Sequence, residues 1–157
     1  MIEPLQGFAF AQALRDTPLL YAATAIAHIA GLAVLVGSAI AFDLRLLGLS
    51  RGLSVRALWR HLMPWSAASL LVIVPTGLAM FAANAEDLID NRAFQVKMAL
   101  LLAAGMNAAI FHTGPYQSVA RWDSGVASPW GARACALVSI ALWLSIIACG
   151  RLLAVLA

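Results

Sequence analysis

Polar and apolar positions do not alternate along this chain; they segregate into blocks. Roughly residues 19–42, 62–83, 97–113 and 132–156 are apolar, and the charged residues gather mainly between them. A helix rises about 1.5 Å per residue, so about 20 apolar residues cross the hydrocarbon core of a bilayer, with about 17 as the lower limit. The pattern therefore predicts four membrane-spanning helices joined by short connections. Short connections make successive spans antiparallel, and the expected fold is an all-α, up-down four-helix bundle. Pro64 is expected in the first turn of the second span, where a missing N–H costs little. Pro75 is expected mid-span, where it removes a backbone hydrogen bond and kinks the helix. Arg151, near the end of the fourth span, is long enough to snorkel to the interface. Ahead of the first span, Ile2, Leu5, Phe8 and Ala9 recur at helical spacing, with Gln6, Gln12 and Arg15 elsewhere. That pattern predicts a short amphipathic N-terminal helix, lying on the surface or tucked over the bundle. No internal repeat, low-complexity tract or linker divides the chain, so residues 1–157 are read as a single domain.

Composition strengthens this reading. Of the 157 residues, 63% are hydrophobic and 11% charged, whereas soluble domains carry about 25% charged residues. A water-soluble fold of this size has too much surface to hide so much apolar area. The net charge of +3 comes without a basic run or a basic amphipathic face, so nucleic acid is not an expected partner; the lipid bilayer is. Cys135 and Cys149 are fourteen residues apart on one predicted helix, about 21 Å, too far to bridge. The N-terminus shows neither a basic leader nor a cleavage pattern, and no removable signal peptide is expected.

Charge between the spans orients the bundle. With four spans both termini share one side, side A. Side B carries Arg45, Arg51, Arg56, Arg60, Arg121 and Arg133 against Asp43 and Asp123. Side A carries Arg15, Arg92, Lys97 and Arg151 against Glu3, Asp16, Glu86, Asp87 and Asp90. The excess of arginine makes side B cytoplasmic; in a bacterial inner membrane both termini would be periplasmic. Trp59, Trp65, Trp122 and Trp130 all fall towards side B, where an interfacial aromatic belt is expected.

Candidate chemistry rests on polar residues inside the spans, because ionisable groups there are costly. The three histidines are His28, His61 and His112. His61 opens the second span and His112 closes the third, so both are expected at one level near side B. Two neutral imidazoles facing each other there are candidate axial ligands of a b-type haem. Gly105, seven residues before His112, would leave room for a flat ring, and Trp65 would line the pocket. Arg60 and Arg133 are the candidate partners of the haem propionates. Anchoring at the interface explains the same two histidines without a cofactor. His28 lies about 20 Å from the expected side-B end of its span, near the midplane and towards side A. It is the candidate for an intramembrane haem or metal ligand, a proton relay or a quinone contact; the competing reading is a hydrogen bond to another helix, with Asn107 as partner. Asn107 itself reads as interhelical glue, and Asp43 with Arg45 as a helix-end ion pair or anchor. The methionines lie at scattered depths and make no copper ladder. No nucleophile elbow, phosphate loop or intramembrane acid pair supports hydrolytic or kinase chemistry.

Several short stretches carry a resemblance. They are His28-Ile-Ala-Gly31, Gly37, Phe42-Asp43-Leu44-Arg45-Leu46-Leu47-Gly48, Pro64-Trp65, Thr76-Gly77-Leu78, Phe94 with Lys97, Asn107, and Gly150-Arg151. Over nearly the whole chain the sequence resembles a family of small, uncharacterised four-span bacterial membrane proteins. More distantly its architecture is similar to the membrane domains of copper-resistance D proteins and of cytochrome b561. The cytochrome resemblance implies haem b and electron exchange with quinone or a partner subunit. The chain departs from it in lacking four ligand histidines, so one bis-histidine haem is the most it can hold. Three functions stay open: an electron-transfer protein with haem between His61 and His112, a copper-handling or transport protein using His28, and a cofactor-free accessory subunit. Self-association into a homo-oligomer is left open, as is whether the protein is an enzyme.

Overall fold

The structure is a computed structural model and describes residues 9–156. Ile2, Leu5 and Phe8 of the expected N-terminal helix lie outside the described residues. The elements are α1 (Ala9–Asp16), α2 (Pro18–Leu47), α3 (Val55–Ala83), the short α4 (Ala85–Ile89), α5 (Arg92–Thr113), a 3-10 segment (Pro115–Arg121) and α6 (Trp130–Leu156). Four of the helices, α2, α3, α5 and α6, are long and apolar enough to cross a membrane. Their outer faces are strongly apolar: Leu71 and Leu102 are 78% and 72% exposed. Apolar surface on that scale calls for lipid as its solvent. The protein is an all-α integral membrane bundle.

The helices start and stop where local chemistry directs. Ser54 opens α3 as its N-cap, its hydroxyl accepting from the Ala57 N–H at 3.0 Å, and the Asn91 side chain caps α5 by accepting from Ala93 N–H. Such caps satisfy backbone donors that have no intrahelical partner. At the end of α2, Gly48 takes φ of 115°, a left-handed conformation natural to glycine at this position. Gly48 N–H and Leu49 N–H then donate back to the Arg45 and Leu44 carbonyls. This stop falls five residues beyond Phe42, where the apolar pattern ends. Likewise α3 begins at Val55 rather than near residue 62, so Pro64 sits inside the helix, not in its first turn.

Both extensions stand at side B. There the best-buried cluster forms from Phe42, Leu46, Val55, Phe111, Val119, Trp122, Ala132 and Ala136. Trp122 is buried and Trp59 packs against this cluster, its ring 5.4 Å from Phe42. The expected belt of four tryptophans thus divides: Trp65 and Trp130 face outward, while Trp59 and Trp122 hold the loops to the bundle. Towards side A, α1 packs on α3 and α2, with Leu14 buried beneath it.

Helix adjacency runs α3–α2–α6–α5. Consecutive spans α3 and α5 are not close along their backbones; side chains close the seam at its two ends. Phe81 stacks on Phe94 towards side A, centroids 5.4 Å apart and planes 13° apart. Trp59 meets His112 towards side B, centroids 4.4 Å apart.

Candidate functional site

His28 lies nineteen residues before Leu47, about 28 Å from that helix end. It is half-buried, and its Nδ1 is 2.9 Å from the Thr76 hydroxyl of α3. That hydroxyl has the Val72 carbonyl at 2.6 Å and the Ile73 carbonyl at 3.2 Å as acceptors, and the His28 ring is also held by the Ile73 backbone. The partner of His28 is therefore Thr76, not Asn107. Asn107 still joins helices, its amide donating to the Cys135 carbonyl at 3.0 Å.

Gly77 makes the approach of His28 to α3 feasible. A Cβ there would stand 3.1 Å from His28 Cε1, tighter than ordinary van der Waals contact. Lys97, from α5, lies within electrostatic reach of His28 and of Cys149. A Cβ on Gly150 would be 4.0 Å from Lys97 Nζ. Lys97 is half-buried and has no ion pair or hydrogen bond from its amine among the described residues. The four spans thus bring His28, Thr76 with Gly77, Lys97, and Cys149 with Gly150 to one region in the side-A half. Phe94 is one turn before Lys97 and Phe81 one turn after Gly77, so their stack lies on the side-A flank of this centre. Sequence reading found His28 and quoted the Thr76-Gly77 and Phe94/Lys97 stretches, but counted Lys97 only as a flanking charge. Its position at the start of an apolar block gives no sign that it turns inward.

His61 and His112 are arranged differently. His112 Nδ1 donates to the Ala108 carbonyl of its own helix at 2.8 Å. Its ring is packed by Trp59, Phe111 and Tyr116, at centroid distances of 4.4, 5.4 and 5.3 Å. Its Nε2 is buried and without a partner, enclosed by protein rather than opening on a slot. Trp59 is the residue of α3 that faces His112. His61 follows two positions later, about 200° around the helix, and is exposed, as are Trp65, Arg60 and Arg133. A haem held between two imidazoles needs both rings on its axis, and the α3 ring that meets His112 is that of Trp59, while His61, Arg60 and Arg133 are exposed. Gly105 is exposed and meets nothing within 4 Å of an added Cβ. The residues do not fit a bis-histidine haem at this place. Nor is there, among the described residues, a group of three or more His, Cys, Asp or Glu side chains placed to hold a metal ion.

Asp43 and Arg45 also depart from the expected helix-end ion pair. Both are buried, 6% and 2% exposed, and they point to different partners. Arg45 Nε donates to the Leu53 carbonyl at 2.7 Å, and Nη2 donates to the Arg51 and Asp123 carbonyls at 3.1 Å each. The Asp123 carboxylate accepts from the Ser54 hydroxyl and the Arg56 N–H, each at 2.8 Å. Desolvation pushes the Asp123 carboxyl up, but these donors and the Arg56 and Arg45 charges outweigh it and hold it below the usual carboxylate range. The two side-B loops are thereby fastened together.

Residues 17–155 match a family of unknown function, DUF6644. The chain belongs to that family. No curated protein and no solved structure matches it. The family match brings with it neither cytochrome b561 nor copper-resistance D domains, and those resemblances are without support.

Proposed function

We propose that this DUF6644 protein binds the polar head of a lipophilic, hydrogen-bond-accepting carrier, of which a quinone is the fitting class, at the His28–Lys97 centre. One observation carries the reading: a half-buried lysine inside a span, with no hydrogen bond or ion pair of its own among the described residues, beside a half-buried imidazole held by Thr76. A charged lysine offers donors only, so its complement is an acceptor such as a carbonyl oxygen. The same charge opposes a metal cation at His28 Nε2, which weighs against copper. Intramembrane ionisable groups commonly mark ligand or ion pathways, and a carrier dissolved in the bilayer reaches the centre laterally without crossing water. In this reading Thr76 and Gly77 fix the imidazole, Lys97 donates to the ligand, and the Phe81–Phe94 stack separates the centre from the side-A interface. The arginine excess at side B orients that side to the cytoplasm, with the host membrane a bacterial inner membrane.

The test is quinone binding to the purified protein in nanodiscs, by calorimetric titration with a short-chain quinone. Saturable binding is expected, and Lys97→Met should weaken it about tenfold or more, the worth of one lost charge-assisted hydrogen bond. His28→Ala should weaken it as well. Folded wild-type protein that takes up no quinone beyond empty nanodiscs overturns the reading in favour of a cofactor-free accessory subunit. So does unchanged affinity in both variants.

A further inference from the structure

A second polar centre lies in the side-B half, apart from His28 and Lys97. Asp43 belongs to the membrane-spanning α2 and is 6% exposed. One of its oxygens is within hydrogen-bonding reach of the Ser139 hydroxyl of α6, while Oδ2 is buried with no partner. Cys135, one turn before Ser139 on the same face of α6, lies within electrostatic reach of Asp43. Asn107 of α5 closes the group from the far side through the Cys135 carbonyl.

Among the described residues, no cation makes a hydrogen bond or ion pair with this carboxyl. Arg45 is two residues along the helix, about 200° around it. Its Nε and Nη2 donate to the carbonyls of Leu53, Arg51 and Asp123, its Nη1 is buried without a partner, and it makes no hydrogen bond to Asp43 among the described residues. From α3, which packs along α2, the basic groups at this level are Arg56, Arg60 and His61, and all are exposed. From α6, Arg133 is exposed too, while Cys135 and Ser139 face the carboxyl. The titratable groups of α1, Arg15 and Asp16, lie at the opposite end of α2. An isolated carboxylate away from water costs several kcal/mol or more unless a positive charge compensates it. We infer that Asp43, with Ser139 and Cys135, forms a buried site at the side-B end of the bundle that takes up one positive charge, as a proton or a small monovalent metal ion. The free Oδ2 receives that charge; Ser139 supplies the second oxygen; no other group of the site changes its bonding.

Infrared spectroscopy of the protein in nanodiscs at neutral pH reads the site directly. The spectra are taken first in buffer free of sodium and potassium, then with each ion added. A carboxylic acid C=O band that shifts on 13C-aspartate labelling and on transfer to D2O, and is missing in Asp43→Asn, identifies the charge as a proton. A carboxylate band that moves on adding sodium or potassium to wild type, but not to Asp43→Asn, identifies a metal ion. A hydrated carboxylate band that neither ion moves, with no labelled acid band, overturns the proposal. Asp43→Glu keeps the charge-taking group and moves its band, so it provides the assignment if Asp43→Asn does not fold. The readout is independent of quinone binding at His28 and Lys97.

Discussion

At the scale of single residues, the decisive feature is how different two neighbouring positions on one helix are. Asp43 turns to α6 and Arg45 to the loops, because two steps along a helix reverse direction. In sequence the pair sits in Phe42-Asp43-Leu44-Arg45, where an anchor or ion pair is the natural expectation. What that stretch does not reveal is that the chain folds back over it, offering three loop carbonyls to one guanidinium. Asp123 is the other half of the clasp, and it makes the clasp acid-sensitive. Its carboxyl titrates lower in the folded protein than in the unfolded chain, where the ordinary value is about 3.9. Its contribution to holding the loops is therefore fully present above about pH 4 and is lost as pH falls through the depressed folded value. Limited proteolysis of residues 114–129 in detergent should show protection at about pH 6 that fades in strong acid. Asp123→Asn should cleave faster at neutral pH and lose that acid dependence; an unchanged acid profile in the variant would assign it elsewhere.

At the scale of elements, glycines that look alike in an apolar run divide by what they face. A Cβ on Gly31 of α2 would lie 2.8 Å from Ile73 Cγ1 of α3, so this glycine sets how closely the two helices approach. Gly105 of α5 meets nothing within 4 Å and faces outward. Gly31→Val is expected to cost about 1–3 kcal/mol by overpacking, read as a lower thermal midpoint in detergent. Gly105→Ala is expected to be neutral or to stabilise by up to about 1 kcal/mol, from the better helix propensity of alanine. The sequence offered Gly105 as room for a ring and gave Gly31 no such role, since periodicity alone does not say which glycine has a neighbour. The same limit applies to the tryptophans. Trp59 and Trp122 share a neighbourhood with Trp65 and Trp130 in sequence, yet the first two are packed against the loop core because the helices run past the apolar blocks. Helix ends followed capping chemistry at Gly48 and Ser54 rather than the last apolar residue.

At the scale of the whole molecule, side assignment is testable without any ligand. In a background carrying Cys135→Ala and Cys149→Ala, cysteine placed at Ser50 or Ser124 belongs to the clasped side-B loops. Cysteine placed at Asp87 belongs to α4 on the opposite side. If side B is cytoplasmic, an impermeant maleimide should label position 87 in intact cells, and positions 50 and 124 only after the membrane is opened. Labelling in the reverse order would invert the orientation. The bundle also explains where the centres lie. Although α3 and α5 are neighbours in sequence but not along their backbones, ring contacts join them at both ends, Phe81–Phe94 and Trp59–His112.

What the sequence determined by itself was the solvent and the architecture. Four apolar blocks of bilayer length admit few alternatives to a helical bundle, since backbone groups in lipid must bond within their own segment. It also marked His28 as a polar residue deep in a span, from depth along a helix. Only the tertiary structure decided which polar groups meet. Rotation about each helix axis, and the order α3–α2–α6–α5, placed Thr76 and Lys97 by His28, gave Ser139 to Asp43, and turned His61 away from His112. Axial position follows from counting residues at fixed rise; facing depends on packing against other helices, which no single span encodes.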